Sequence, residues 1–211
     1  METQIALILI LIISVILHEM AHGYAANWLG DPTARLQGRL SPNPLVHIDP
    51  FMSVILPAIL LLSGSPFLFG AAKPVPYNPY NLTNQKWGEA IVAVAGPATN
   101  ITLAIIFALI IRFADMLPMV SMAFLTLSLQ VVILNLFLAF FNLVPIPPLD
   151  GSKILPNFLP FSLRLKYERF RQILEQNTAL AFGVIIISFM LVLGAPLALL
   201  TKTVAVFLVG G

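Results

Sequence analysis

Two histidines and a glutamate stand in the order His18-Glu19-Met20-Ala21-His22. On a helix, residues four apart lie one turn above each other, so both imidazoles can reach a single ion. Glu19 falls beside them, near enough to take a proton from an activated water without being forced to ligate. Zinc fits this donor set best, because imidazole with carboxylate suits it and the chain contains no cysteine to supply a thiolate. The plainer alternative is a pair of helical histidines satisfied by hydrogen bonds. Against it, the motif follows thirteen nearly unbroken apolar residues, 5–17. Ionisable groups inside such a stretch are expensive unless they are paired, which disfavours an idle cluster.

A catalytic zinc takes three protein ligands and keeps one position for water. The third ligand must come from elsewhere, and Asp150 is the leading candidate. It closes Asn142-Leu-Val-Pro-Ile-Pro-Pro-Leu-Asp150-Gly151, where Pro145, Pro147 and Pro148 bar a continuing helix and make the segment extended and stiff. An Asp-Gly turn or a helix N-cap would explain Asp150 equally well, so its assignment depends on which membrane face it reaches. Asn142 opens this segment and is a candidate substrate-binding residue. Ser128, Asn135 and Asn142 recur every seven residues and so share a helix face, a pattern that reads as helix–helix glue apart from Asn142. In Gly96-Pro-Ala-Thr-Asn100, Gly96 allows a close helix approach and Asn100 can bond a neighbour, so this stretch reads as packing. His47 and Asp49 lie among turn formers and read as structural.

The composition names the solvent around these groups. Of 211 residues, 59% are hydrophobic and 9% charged, with a mean hydropathy of +0.95. Soluble domains carry about 25% charged residues, so a bilayer is the medium. A formal charge of +2 gives no reason to expect nucleic acid, and zero cysteines exclude a disulfide framework. A span needs about 20 apolar residues, and five stretches qualify: 4–28, 51–69, 91–113, 119–141 and 179–200. The first reads as a retained helix, since Glu2 occupies the place of a basic leader.

The stretch 51–69 is short and carries Pro57, Gly64 and Pro66. If it crosses fully, the 11 basic residues divide seven to four between the membrane faces; if it dips in and returns, Arg35 and Arg39 join the majority and the division is nine to two. The positive-inside rule favours the second arrangement. It also brings Asp150 to the same membrane half as His18 and His22, with the N-terminus outside. Residues 161–177 place Leu163, Tyr167, Phe170, Ile173 and Leu174 at helical spacing among arginines, as in an amphipathic helix on an anionic leaflet or a basic linker helix. The expected fold is an all-α polytopic membrane protein. It has four transmembrane helices plus a re-entrant segment, with a small extended/β element after the first helix, in a single domain spanning 1–211.

HEMAH in the first span, paired with NLVPIPPLDG after a later one, resembles the site-2 protease family of intramembrane zinc metalloproteases. The segments GRLSPNPLVHIDP, AAKPVPYNP and AGPATN are similar to those of its compact prokaryotic members, and the likeness covers about residues 15–155. The resemblance implies one zinc ion held by His18, His22 and Asp150, Glu19 as the residue that activates water, and Asn142 as a group that holds substrate or stabilises the oxyanion. It implies a membrane-protein substrate cut within or near its transmembrane helix, in a prokaryotic plasma membrane, with the active site toward the cytoplasmic half. PDZ-like and CBS-like domains, present in larger members, are not found in these 211 residues. An intramembrane divalent-metal transporter and a catalytically silent membrane-protein-binding homologue are the rival readings. The H-E-x-x-H order speaks against transport, which has no need of Glu19.

Overall fold

A computed structural model describes residues 2–49, 55, 73–116 and 120–211. Helix α1 (Glu2–Trp28) is followed by one short turn, α2 (Thr33–Leu36). Two long helices come next, α3 (Gly88–Arg112) and α4 (Met122–Asn142). The single turn α5 (Gly151–Ile154) leads to α6 (Phe161–Gln176). The last long rod is α7 (Thr178–Ser188), a π-helical turn at Phe189–Leu193, and α8 (Gly194–Val209). Among the described residues four helices are long and apolar enough to cross a membrane: Ile5–Trp28, Gly88–Arg112, Met122–Asn142 and Thr178–Val209. The fourth runs well past the expected end at 200. Lys202 interrupts the apolar run without stopping the helix, which closes at Gly210 with φ +94°.

α3 and α4 pack against each other most extensively, α1 lies on α3, and α8 covers α4. The centre of α3–α4–α8 is built from Ala104, Ala108, Val132, Leu136 and Ala205, all buried. Small side chains let helix backbones approach closely where lipid gives no hydrophobic drive to associate.

The end of α1 and the start of α3 are tied together. Asp31 N donates to the Ala26 carbonyl at 2.9 Å and Gly30 N to Asn27 at 3.2 Å, a Schellman closure. The Leu29 carbonyl then accepts from Thr83 N at 2.8 Å. The fully buried Asp31 carboxylate accepts from Asn78 N at 2.6 Å, Asn81 Nδ2 at 2.9 Å, and the hydroxyl of Thr33 at 2.6 Å. α1 and α3 therefore form an antiparallel pair, with Leu29 and Thr83 joined at the same end of it. The stretch 51–69, expected to be re-entrant, lies outside the described residues but for Ile55.

The expected small β element does not form among the described residues. Residues 73–78 carry no regular secondary structure, and Lys73 N donates to the His47 carbonyl at 2.8 Å. Pro74 and Pro76 remove alternate donors, so a ladder cannot propagate through this stretch. Residues 161–177 do form a helix, as the spacing predicts. α6 docks through buried Leu174, through Tyr167 Oη donating to the Pro145 carbonyl at 3.0 Å, and through Arg171 against Glu89 at 3.2 Å. Phe161, Leu163, Leu165 and Ile173 remain exposed.

Candidate metal centre

His18 and His22 project from one face of α1, about one turn from one another, toward α3 and the turn before α5. His18 Nε2 lies 3.2 Å and His22 Nε2 3.3 Å from Asp150 Oδ2, and the two nitrogens are 3.0 Å apart. All three residues are buried. Asp150 is delivered by the proline-rich bend after α4, which the fold allows to turn tightly because Gly151 has no side chain. A Cβ there would run into the carbonyl oxygens of Leu143 and Val144. Gly96 does the same for α3: its Cβ would stand 2.5 Å from His22 Nε2 and 2.6 Å from His18 Nε2.

The hydrogen bonds around the imidazoles fix what their inner nitrogens offer. His22 Nδ1 donates to the Val92 carbonyl at 2.7 Å, and that carbonyl can only accept, so the proton is on Nδ1 and the neutral ring keeps its lone pair on Nε2. His18 Nδ1 pairs with Asn100 Oδ1 at 2.6 Å with the same consequence. Asp150 Oδ2 is buried with no hydrogen-bond donor among the described residues. Three electron-pair donors thus converge on one point with nothing to neutralise them. Their spacing suits a tetrahedral zinc site, where bonds of about 2.0–2.1 Å put ligand atoms about 3.3 Å apart. The residues fit the ion.

Glu19 is partly buried beside this group, and its Oε2 accepts from Val75 N at 2.8 Å. Asn142 stands at the end of α4, where its Nδ2 donates to the Leu138 carbonyl at 2.9 Å. It is not one of the three converging groups. His47 Nε2 bonds the Ser41 carbonyl at 2.8 Å, in keeping with a structural role. Two residues whose sequence context suggests only packing prove to touch the centre, Gly96 by its absent side chain and Asn100 by its bond to His18. Their signal was present in Gly96-Pro-Ala-Thr-Asn100, whose two polar-face positions are one helical turn apart like the histidines they meet.

Four candidate membrane spans, a buried His-His-Asp group and a glutamate alongside are the features of a membrane-embedded metallohydrolase. The sequence profile of peptidase family M50 matches residues 6–126 and 113–190. YwhC of Bacillus subtilis, named as a zinc metalloprotease, is 36% identical over 197 residues, 90% of this chain and 82% of the relative. Rip2 of Mycolicibacterium smegmatis, similarly named, is 35% identical over 144 residues, 66% of this chain and 52% of the relative. Zinc metalloprotease MJ0392 of Methanocaldococcus jannaschii is 27% identical over 149 residues, 71% of this chain and 33% of the relative. No solved structure matches the chain. The chain belongs to peptidase family M50, the site-2 protease family of intramembrane zinc metalloproteases.

Proposed function

We propose that this protein hydrolyses peptide bonds within or near the transmembrane helices of membrane-protein substrates, with His18, His22 and Asp150 as zinc ligands and Glu19 as the general base. The observation that carries this reading is the convergence of His18 Nε2, His22 Nε2 and Asp150 Oδ2 within 3.3 Å of one another. Zinc, when bound, supplies a Lewis acid for the scissile carbonyl and makes water acidic enough to attack near neutral pH. Glu19 takes the proton of the attacking water and passes it to the leaving amine. The Val75 amide holds one of its carboxylate oxygens, so the proton is taken at the other. Asn142, at the mouth of the proline-rich bend, holds the substrate backbone beside the centre, exchanging its bond to Leu138 for one to substrate.

The tie between Leu29 and Thr83 supports placing both ends of the connection between α1 and α3 on one membrane face. Arg35, Arg39, Lys73, Lys86 and Lys153 then share a face with α6, which the positive-inside rule makes cytoplasmic. The whole chain acts as one intramembrane domain in a prokaryotic plasma membrane, its centre in the cytoplasmic half.

Glu19→Gln tests the roles. The variant keeps its zinc, loses cleavage, and retains a bound membrane protein that co-purifies and is cut by the parent enzyme. Undiminished cleavage by the variant overturns Glu19 as base. Zinc flux into proteoliposomes without any cleavage by the parent would replace proteolysis with transport.

A further inference from the structure

A chain of hydrogen bonds runs from the middle of α4 to the metal centre, and its polarity is set at the far end. The Val131 carbonyl can only accept, so the atom that Asn135 turns to it, at 2.9 Å, is Nδ2. The same Nδ2 reaches Ser14 Oγ on α1 at 2.9 Å. Asn135 Oδ1 is thereby left facing α3, where it accepts from Asn100 Nδ2 at 2.8 Å. Asn100 must then present Oδ1 to His18 Nδ1, at 2.6 Å. An oxygen in that place requires a proton on Nδ1, so the neutral ring has its lone pair on Nε2, the atom 3.2 Å from Asp150. Ser14, His18, Asn100 and Asn135 are all at most 6% exposed, so water does not intrude on the sequence of donors and acceptors.

Helix–helix glue would be served by either orientation of these amides. The observed order does something more specific. We infer that Asn100 and Asn135 are positioning residues, which carry the polarity of the α4 backbone to His18 and hold it in the tautomer that presents a lone pair to zinc. His22 receives the same constraint from the Val92 carbonyl directly. His18, a turn deeper in the bilayer, receives it through two side-chain amides. The relay rests on the zinc assignment above for its purpose, though not for its existence.

The test uses the full chain in detergent, with 15N-labelled histidine, and compares Asn100→Leu, Asn100→Asp and Asn135→Leu. Ring 15N shifts of the metal-free protein read the His18 tautomer, and competition with a chromophoric chelator reads the zinc Kd. Asn100→Leu removes the acceptor and weakens zinc by about 10–100-fold, whereas Asn100→Asp keeps an acceptor toward Nδ1 and stays within about threefold of the parent. Asn135→Leu touches neither imidazole, yet brings up an Nε2–H population at His18 and a smaller loss of affinity. Parent-like tautomer and affinity in both leucine variants would overturn the relay, as would equal zinc loss in Asn100→Asp and Asn100→Leu. Asn100→Asp needs no new apolar packing, so it decides the matter even if a leucine variant fails to fold. A parent chain that takes up no zinc defeats the metal assignment instead, while the tautomer comparison still judges the relay.

Discussion

Gly96 shows how a single missing side chain can set a metal site. The helix propensity of alanine exceeds that of glycine by about 1 kcal/mol, so Gly96→Ala should stiffen α3. Its new methyl would stand 2.5–2.6 Å from Nε2 of His22 and of His18 and must push an imidazole aside. The expected result is a protein at least as stable when metal-free that has lost most of its zinc, read by thermal melting and by metal analysis of the purified chain. Retention of full zinc would mean that the imidazoles do not use that space. At this scale the sequence was readable where chemistry depends on near neighbours. His18, Glu19 and His22 are legible because helical geometry relates residues four apart. Asn100 was not, because its partner is 82 positions away and an asparagine one turn after a glycine looks like packing. Asp150 lies between these cases: its proline-rich context was visible, but its meeting with the histidines follows only from topology.

At the scale of the element, residues 73–77 are the instructive stretch. The expected small extended/β element after α1 carried no detail of it, and Pro74 and Pro76 are why no β ladder grows through this stretch. What could not be read was the use of the remaining amide, since Val75 N finds Glu19 56 positions earlier. Val75→Pro deletes that donor while keeping an extended backbone between Pro74 and Pro76. Turnover should fall by about tenfold or more with zinc content unchanged, whereas Val75→Ala, which keeps the amide, should stay near the parent. Equal activity in both variants would deny the amide any part in placing Glu19. The length of α8 shows the opposite limit. A lysine on the lipid side of a helix can lay its stem along apolar surface and reach for the interface, so Lys202 hid nine further helical residues from an apolar scan.

For the whole molecule, the decisive feature is the closure between α1 and α3. Burial pulls the Asp31 carboxyl up, but hydrogen bonds from Thr33, Asn81 and Asn78 outweigh it and hold the group below the usual carboxylate range. A depressed folded value means that Asp31 stabilises the fold fully above its unfolded pKa of about 3.9, and that this is lost as pH falls through the lower folded value. The Tm gap between the parent and Asp31→Asn should therefore be widest near neutral pH and narrow below about pH 4. A gap that is independent of pH would sink the carboxylate explanation. The orientation has its own test in a chain without native cysteine. Lys73→Cys and Lys86→Cys should react with impermeant thiol reagents only from the cytoplasmic side, and labelling from outside alone would reverse the topology. Zinc should also clamp the assembly, since the proposed ligands come from α1 and from the bend before α5. Free zinc at a hundredfold over Kd is worth about 2.7 kcal/mol, so chelation should lower Tm, and no shift would mean that the site is not filled.

The order in which the ligands are synthesised gives the centre a further meaning. The ribosome delivers His18 and His22 with the first helix, but Asp150 only after α3 and α4 have followed into the bilayer. A nascent chain thus carries His18, Glu19 and His22 but lacks Asp150 until both later helices have been made. On the proposed ligand set, a chain that stops or inserts wrongly before Asp150 has an incomplete centre, and no cleavage is expected of it.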